Sequence, residues 1–311
     1  MDIFLNDFVN EAQSIFGKDF IPIHRPILDG NEKQYLLDCI NSNFVSSVGE
    51  MVEVFENKLA EFTNSNHAIA TVNGTSALHI AIQLSGVMPG DEILTQALTF
   101  VATCNAIKYA GADPIFVDVD RDTLGLSPVA LDIFLKKNAI KTSFGTINKN
   151  TGKKISACVP MHTFGFPCRI DQISKICSEW NIVVVEDSAE SLGSYIGKQH
   201  TGSYSKMSFF SFNGNKIITT GGGGMIITND PDLAKRAKHI TTTAKKTHPY
   251  EFIHDDIGYN YRMPNLNAAL GCAQMERLNE FLKAKEKLAI HWANFFKNHK
   301  VNFVKPLEGN K

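Results

Sequence analysis

An α/β fold with a mainly parallel central sheet is what the order of segments predicts. Helix-like and strand-like stretches alternate from about residue 30 to residue 230. One strand-like stretch, IVVVEDSA at 182–189, is apolar almost to its end, as a strand covered on both faces requires. From about residue 232 the pattern turns helical, so a linking helix and a second, smaller domain are expected. The expected organisation is an N-terminal arm over 1–29, a large domain over 30–240, and the linking helix with the start of a small C-terminal domain over 241–311.

In chain order, EKQYLLDCINSN (32–43) and GEMVEVFENKLAEFTN (49–64) carry apolar residues at helical spacing. HAIATV (67–72) reads as a short strand. NGTSALHIAIQLSG (73–86) reads as a helix whose start is marked by Asn73, Gly74 and Thr75. DEILTQ, FVATCNAIKYAG and DPIFVDVD follow as strand, helix and strand. SPVALDIFLKKN opens with a serine cap and a proline at the first helical position. ISACVPMHTFG is a strand running into a loop, RIDQISKICSEWN a helix, and KMSFFSF and GGMIITND two further strands. PDLAKRAKHI and the long segment from Met263 to His299 are helical, and another strand is expected to begin in VNFVKPLEGNK.

Composition excludes several classes. Among 311 residues, 43 % are hydrophobic and 20 % charged, and the formal net charge is −1. No basic excess points to nucleic acid or an anionic membrane surface. The first twenty residues hold acids and no long apolar core, unlike a secretion signal or transit peptide. A cytoplasmic protein is expected. The six cysteines are scattered without a C-x-x-C pair and read as buried thiols, and no metal site is expected.

Chemistry is sought beyond the carboxyl ends of the strands, where open parallel sheets bind ligands. Glu186 and Asp187 end the apolar strand and point to opposite sides, so two different roles are expected. NGTSAL offers free amides at a helix start, either as a phosphate cradle or as an ordinary capped helix. Phe100 stands at a strand-to-helix junction, as a core residue or as a stacking partner for a planar ligand. His162 follows a strand and reads equally as structural or functional. Lys216, in SFNGNKIITTGGGG, is a phosphate-loop lysine, a reactive amine or a solvated side chain. The Walker spacing fails because Asn215 precedes it and Ile217 follows it. Taken together, a phosphate cradle, a ring stacker, a carboxylate and a lysine are what pyridoxal 5'-phosphate needs.

The motifs NGTSALHIAI, TFVATCNAI, VVEDSAESLGS, SFNGNKIITTGGGGMI and GYNYRMPNLNAALG, in that order, resemble the DegT/DnrJ/EryC1/StrS nucleotide-sugar aminotransferases. The likeness runs over nearly the whole chain. It implies the type I (aspartate aminotransferase-like) pyridoxal-phosphate fold, with a small C-terminal domain that ends earlier than usual in the family. It implies that Lys216 bonds the cofactor's aldehyde and that Asp187 pairs with its ring nitrogen. Phe100 takes the stacking position, Gly74 and Thr75 the phosphate turn, and Ser211 a hydroxyl contact to the phosphate. Glu190 lies near the cofactor's 3-hydroxyl edge. Asn260 resembles a residue that reaches the partner subunit's phosphate, which implies a homodimer with shared sites. L-Glutamate is the implied amino donor and a nucleotide-linked 4-keto-6-deoxy sugar the acceptor. GGGG at 221–224, where the family commonly has GEGG, and Asn213 resemble a subgroup that aminates a UDP-linked 4-keto sugar. UDP-4-keto-6-deoxy-GlcNAc on a legionaminic-type route is therefore the first expectation, with GDP-4-keto-6-deoxymannose (perosamine-type) as the alternative. Lys216 argues against a related sugar 3-dehydratase, which has histidine there. The missing glycine fingerprint argues against a nicotinamide oxidoreductase. A shortened member that binds cofactor without catalysis is the remaining rival.

Overall fold

A computed structural model describes residues 2–299 and 301–311. The helices are α1 Asp2–Phe16, α2 Glu32–Asn41, α3 Glu50–Thr63, α4 Gly74–Leu84, α5 Val101–Tyr109, α6 Pro128–Asn138, α7 Ile170–Glu179, α8 Pro231–Thr241 and α9 Asn265–Lys297. The strands are β1 His67–Thr71, β2 Glu92–Gln96, β3 Asp113–Val117, β4 Ala139–Thr142, β5 Gly145–Asn148, β6 Lys154–Val159, β7 Val183–Asp187, β8 Tyr195–Ile196, β9 Gln199–His200, β10 Met207–Ser211 and β11 Gly224–Thr228. Each strand and helix expected between residues 32 and 299 is present.

The main sheet has the order β1-β11-β10-β7-β6-β2-β3. The run from β10 to β3 is parallel, and β11 lies antiparallel to both of its neighbours. The sheet is therefore mixed, with β11 reversed against six strands that run one way. The segment joining β10 to β11 holds the glycine-rich turn and no helix, so the chain returns alongside itself without a crossover. A second departure is the β4–β5 hairpin, which pairs onto β6. The strand expected at 301–311 is also absent. Only Asn310 makes an isolated bridge, to Ile196.

Adjacent residues of each strand feed opposite faces. Ile69, Ile93, Val185, Phe209 and Ile226 pack under α4, α5 and α8 with Leu78, Ile80 and Ile107. On the other face, Ala70, Phe210 and Ile227 meet Phe55 and Leu59 of α3 and Cys272 and Leu278 of α9. Farther along that face, Leu94, Cys158 and Val184 meet Leu131 and Leu135 of α6 and Ile173 and Cys177 of α7. Each large aliphatic side chain buried this way contributes about 1.5–3 kcal/mol. At the N-terminus, α1 docks on the far end of α9. Phe8 lies 5.2 Å from Trp292 between ring centroids and stacks on Phe296. None of the described helices is long and apolar enough to cross a membrane.

His200, on β9, is buried behind the site. It accepts the Gly193 N–H at Nε2 (2.8 Å), and its Nδ1–H faces the Thr201 carbonyl. Burial pushes its pKa down from 6.5 to about 4. The folded state thus holds a neutral ring that the unfolded chain protonates first. Stability from this source is complete above pH 6.5 and falls as pH drops towards 4. The loss is roughly 3 kcal/mol by that point, at about 1.4 kcal/mol per pH unit. The thermal midpoint of the wild type is expected to fall more steeply between pH 6.5 and 4 than that of His200→Asn.

Candidate active site

The candidate residues gather at the carboxyl ends of β7 and β10 and at the helix starts after β1 and β2. At the end of β7 the two acids separate as the strand geometry requires. Glu186 turns to one side and accepts the amides of Gly202, Tyr204 and Ser205 at 2.7–2.8 Å, with His162 Nε2 at 3.2 Å. His162 Nδ1 accepts the Cys168 N–H, which leaves its proton on Nε2 facing Glu186. Both side chains are fully buried, so this pair ties loops together and His162 is structural.

Asp187 turns to the other side. Its Oδ2 accepts the Thr103 hydroxyl at 2.8 Å and its Oδ1 the Ala189 N–H at 3.2 Å. Burial pushes this carboxyl's pKa up, against the pull of those two donors and of Lys216. A buried carboxylate in this state gains from a cationic partner such as a protonated ring nitrogen. Thr103 was not anticipated from sequence. It stands on α5 one turn after Phe100, within the TFVATCNAI motif, and 84 residues from its partner. No spacing rule links the two.

Lys216 follows β10 in a tight turn closed by its own N–H on the Asn213 carbonyl at 3.0 Å. Asn213 itself is exposed, and its amide donates to the Asn215 side chain. The turn directs Lys216 inward, leaving its side chain 13 % exposed, with Nζ 3.1 Å from Glu190 Oε1. The other oxygen of Glu190 accepts the Phe164 N–H at 3.0 Å. Glu190, Ser211 and Lys216 line one cleft of about 560 Å³. Ala189 lines it too and links it to Asp187.

The turn expected to hold a phosphate is built by missing side chains. A Cβ on Gly74 would fall 2.8 Å from the Ser211 Cβ, so glycine lets α4 start against β10. A Cβ on Gly224, the last of the four glycines, would fall 2.4 Å from the Asn73 carbonyl oxygen. The Asn73 side chain caps the Ser76 N–H at 2.8 Å. Gly74 and half-buried Thr75 occupy the first turn, whose amides have no intrahelical acceptor. With Ser211 beside them, this donor set fits a phosphate, and Asp187 and Lys216 fit a pyridine ring bearing an aldehyde. Gly74→Ala is expected to weaken cofactor binding about 10- to 100-fold, from the 1–3 kcal/mol that such overpacking costs. A cofactor titration followed by absorbance checks this.

Phe100 and Asn260 are not drawn into these contacts. Phe100 caps α5 with its ring 67 % exposed. Asn260 is exposed and bridges Thr242.

Residues 26–311 match the DegT/DnrJ/EryC1/StrS aminotransferase family. The chain belongs to this family and is a pyridoxal-phosphate-dependent aminotransferase. It is 40 % identical to the GDP-perosamine synthase of Escherichia coli O157:H7 over 87 % of its own length and 70 % of that protein's. Its identity to the Caulobacter vibrioides GDP-perosamine synthase is 38 %, over 86 % and 68 % of the two chains. Among solved structures, it matches Helicobacter pylori PseC, an aminotransferase of pseudoaminic acid biosynthesis, with a TM-score of 0.80 at 26 % identity. That match covers 90 % of this chain and 71 % of PseC. The α/β architecture of this aminotransferase is consistent with the type I fold.

Proposed function

We propose that this aminotransferase moves an amino group from L-glutamate to the 4-keto carbon of a GDP-linked 4-keto-6-deoxyhexose, giving a 4-amino-4,6-dideoxy sugar nucleotide. The observation that carries this reading is the shared name of three curated relatives at 37–40 % identity, each a GDP-perosamine synthase. They favour the perosamine-type substrate over the UDP-linked GlcNAc derivative expected from Asn213 and the glycine run. Asn213 is exposed and closes the lysine turn through its backbone, a role that does not select a nucleotide.

When bound, pyridoxal phosphate supplies an aldehyde for the amine and a ring that accepts the electron pair of a broken C–H bond. Lys216 Nζ would hold that aldehyde and would carry the proton to and from the donor α-carbon. Asp187 holds a proton on the ring nitrogen. Glu190 keeps Lys216 aimed into the cleft. The Gly74 and Thr75 amides and the Ser211 hydroxyl would hold the phosphate, and Phe100 would be the residue to stack on the ring. The exposure of Phe100 (67 %) and of its neighbour Val101 (59 %) in the single chain supports a homodimer, in which Asn260 reaches the partner's phosphate.

The test is incubation with L-glutamate and a panel of GDP- and UDP-linked 4-keto-6-deoxy sugars, read by mass. The GDP sugar is expected to gain the amine. Amination of only the UDP-GlcNAc derivative would reverse the substrate assignment.

A further inference from the structure

Phe164 occupies a left-handed backbone conformation, with φ 54° and ψ 21°. For a residue with a bulky side chain this conformation costs free energy and persists only where the surroundings enforce it. Here they do. The Thr163 hydroxyl is fixed between the Gln96 amide (2.8 Å) and the Leu124 carbonyl (3.0 Å). The Gly165 carbonyl accepts the Ser194 hydroxyl at 2.8 Å, and a Cβ on Gly165 would fall 2.9 Å from the Glu190 carbonyl oxygen. The Phe164 amide itself is held by Glu190 Oε2.

This enforcement does not bury the ring. Phe164 is 68 % exposed, while His162 and Thr163 before it are buried. The ring lines the same cleft as Glu190, Ser211 and Lys216. A strained backbone normally gains core packing or function, and core packing is absent here. Moreover, one carboxylate fixes both ends of the arrangement. Glu190 holds the Phe164 amide with one oxygen and the Lys216 ammonium with the other. The ring is thereby positioned relative to the reacting amine through two hydrogen bonds in series.

We propose that Phe164 is a specificity-determining residue whose ring packs against the apolar C–H face of the acceptor sugar, including its C6 methyl, and orients the keto carbon towards the site. This rests on the nucleotide-sugar reading above. An aromatic face suits a 6-deoxyhexose because the pyranose C–H bonds and the methyl are its apolar surface. L-Glutamate offers no such face, so the two half-reactions should respond differently.

The experiment compares wild type with Phe164→Gly in the two half-reactions separately, by single-turnover spectroscopy. With the GDP-4-keto-6-deoxy sugar, kcat/KM is expected to fall about 10- to 100-fold. The glutamate half-reaction should change by less than about twofold, because it makes no use of the ring. Glycine adopts the left-handed conformation without strain, so the thermal midpoint of Phe164→Gly is expected not to fall. Retained sugar turnover, or an equal loss in both half-reactions, would overturn the proposal. So would a lowered thermal midpoint that tracks the loss, or dissociation of a wild-type dimer on sedimentation, which would make the ring an interface contact. A wild type that completes the glutamate half-reaction yet accepts no nucleotide sugar would overturn the functional reading, and this inference with it.

Discussion

Lys216→Ala is expected to abolish turnover, with a loss of about 10⁴-fold or more. In its proposed role the lysine is both the amine that would hold the cofactor and the base that would move the proton, and base catalysis alone contributes about 10²–10⁴-fold. Its side chain is 13 % exposed and reaches into the cleft at Glu190. Lys285 and Lys311 also line the cleft, but among the described residues Lys216 is the lysine bonded to Glu190. Cofactor should still bind through the turn at Gly74 and Ser211, but without a covalent link. Lys216→Arg is expected to be equally inactive, because a guanidinium neither bonds the aldehyde nor gives up its proton. Retention of more than a small fraction of turnover by either variant would remove Lys216 from its role.

Asp187→Asn is expected to have the second largest effect, slowing both half-reactions by about 10²–10³-fold, the range for loss of a pre-positioned electrostatic partner. Asparagine keeps the shape, accepts the Ala189 N–H at its one oxygen and turns its amide as a donor towards the Thr103 hydroxyl, but it does not hold a proton on the ring nitrogen. The stability effect should have the opposite sign. Burial raises the carboxyl's pKa in the folded chain, so the cofactor-free protein loses stability as pH rises from the unfolded pKa through the folded one. At pH 8 the wild type carries that cost and the asparagine variant does not. Cofactor-free Asp187→Asn should therefore melt no lower than wild type at pH 8 while turning over far more slowly. A parallel loss of stability and activity would make Asp187 a structural residue.

Much of this site is legible in the sequence because its parts follow separate strands with strong local signals. The apolar strand ending in Asp187, the capped glycine start at Gly74 and the lysine before the glycine run each have a composition that physics explains. Their convergence follows from one rule, that the strands' carboxyl ends lie together. What was not legible depends on contacts distant in sequence or on backbone angles that leave no trace in residue type. Thr103 looks like any helical threonine until β7 brings Asp187 to it. Phe164 looks like a core aromatic, and only its φ and exposure distinguish it. The β4–β5 hairpin leaves little sequence signal because AIKTSFGTIN lacks a clear apolar alternation and buries Thr146 and Asn148 rather than large apolar side chains. The antiparallel direction of β11 is not encoded locally, because strand direction depends on the connection and the glycine turn gives no sign of which way the chain leaves. The docking of α1 on α9 involves aromatic residues almost 290 positions apart, beyond any local periodicity.

The most direct test of the central assignment is borohydride reduction of the cofactor-loaded enzyme, followed by peptide mass mapping. The cofactor's mass is expected on the peptide containing Lys216, and on that peptide alone. Its appearance on another lysine, such as Lys285 in the same cleft, or on none, would contradict the account.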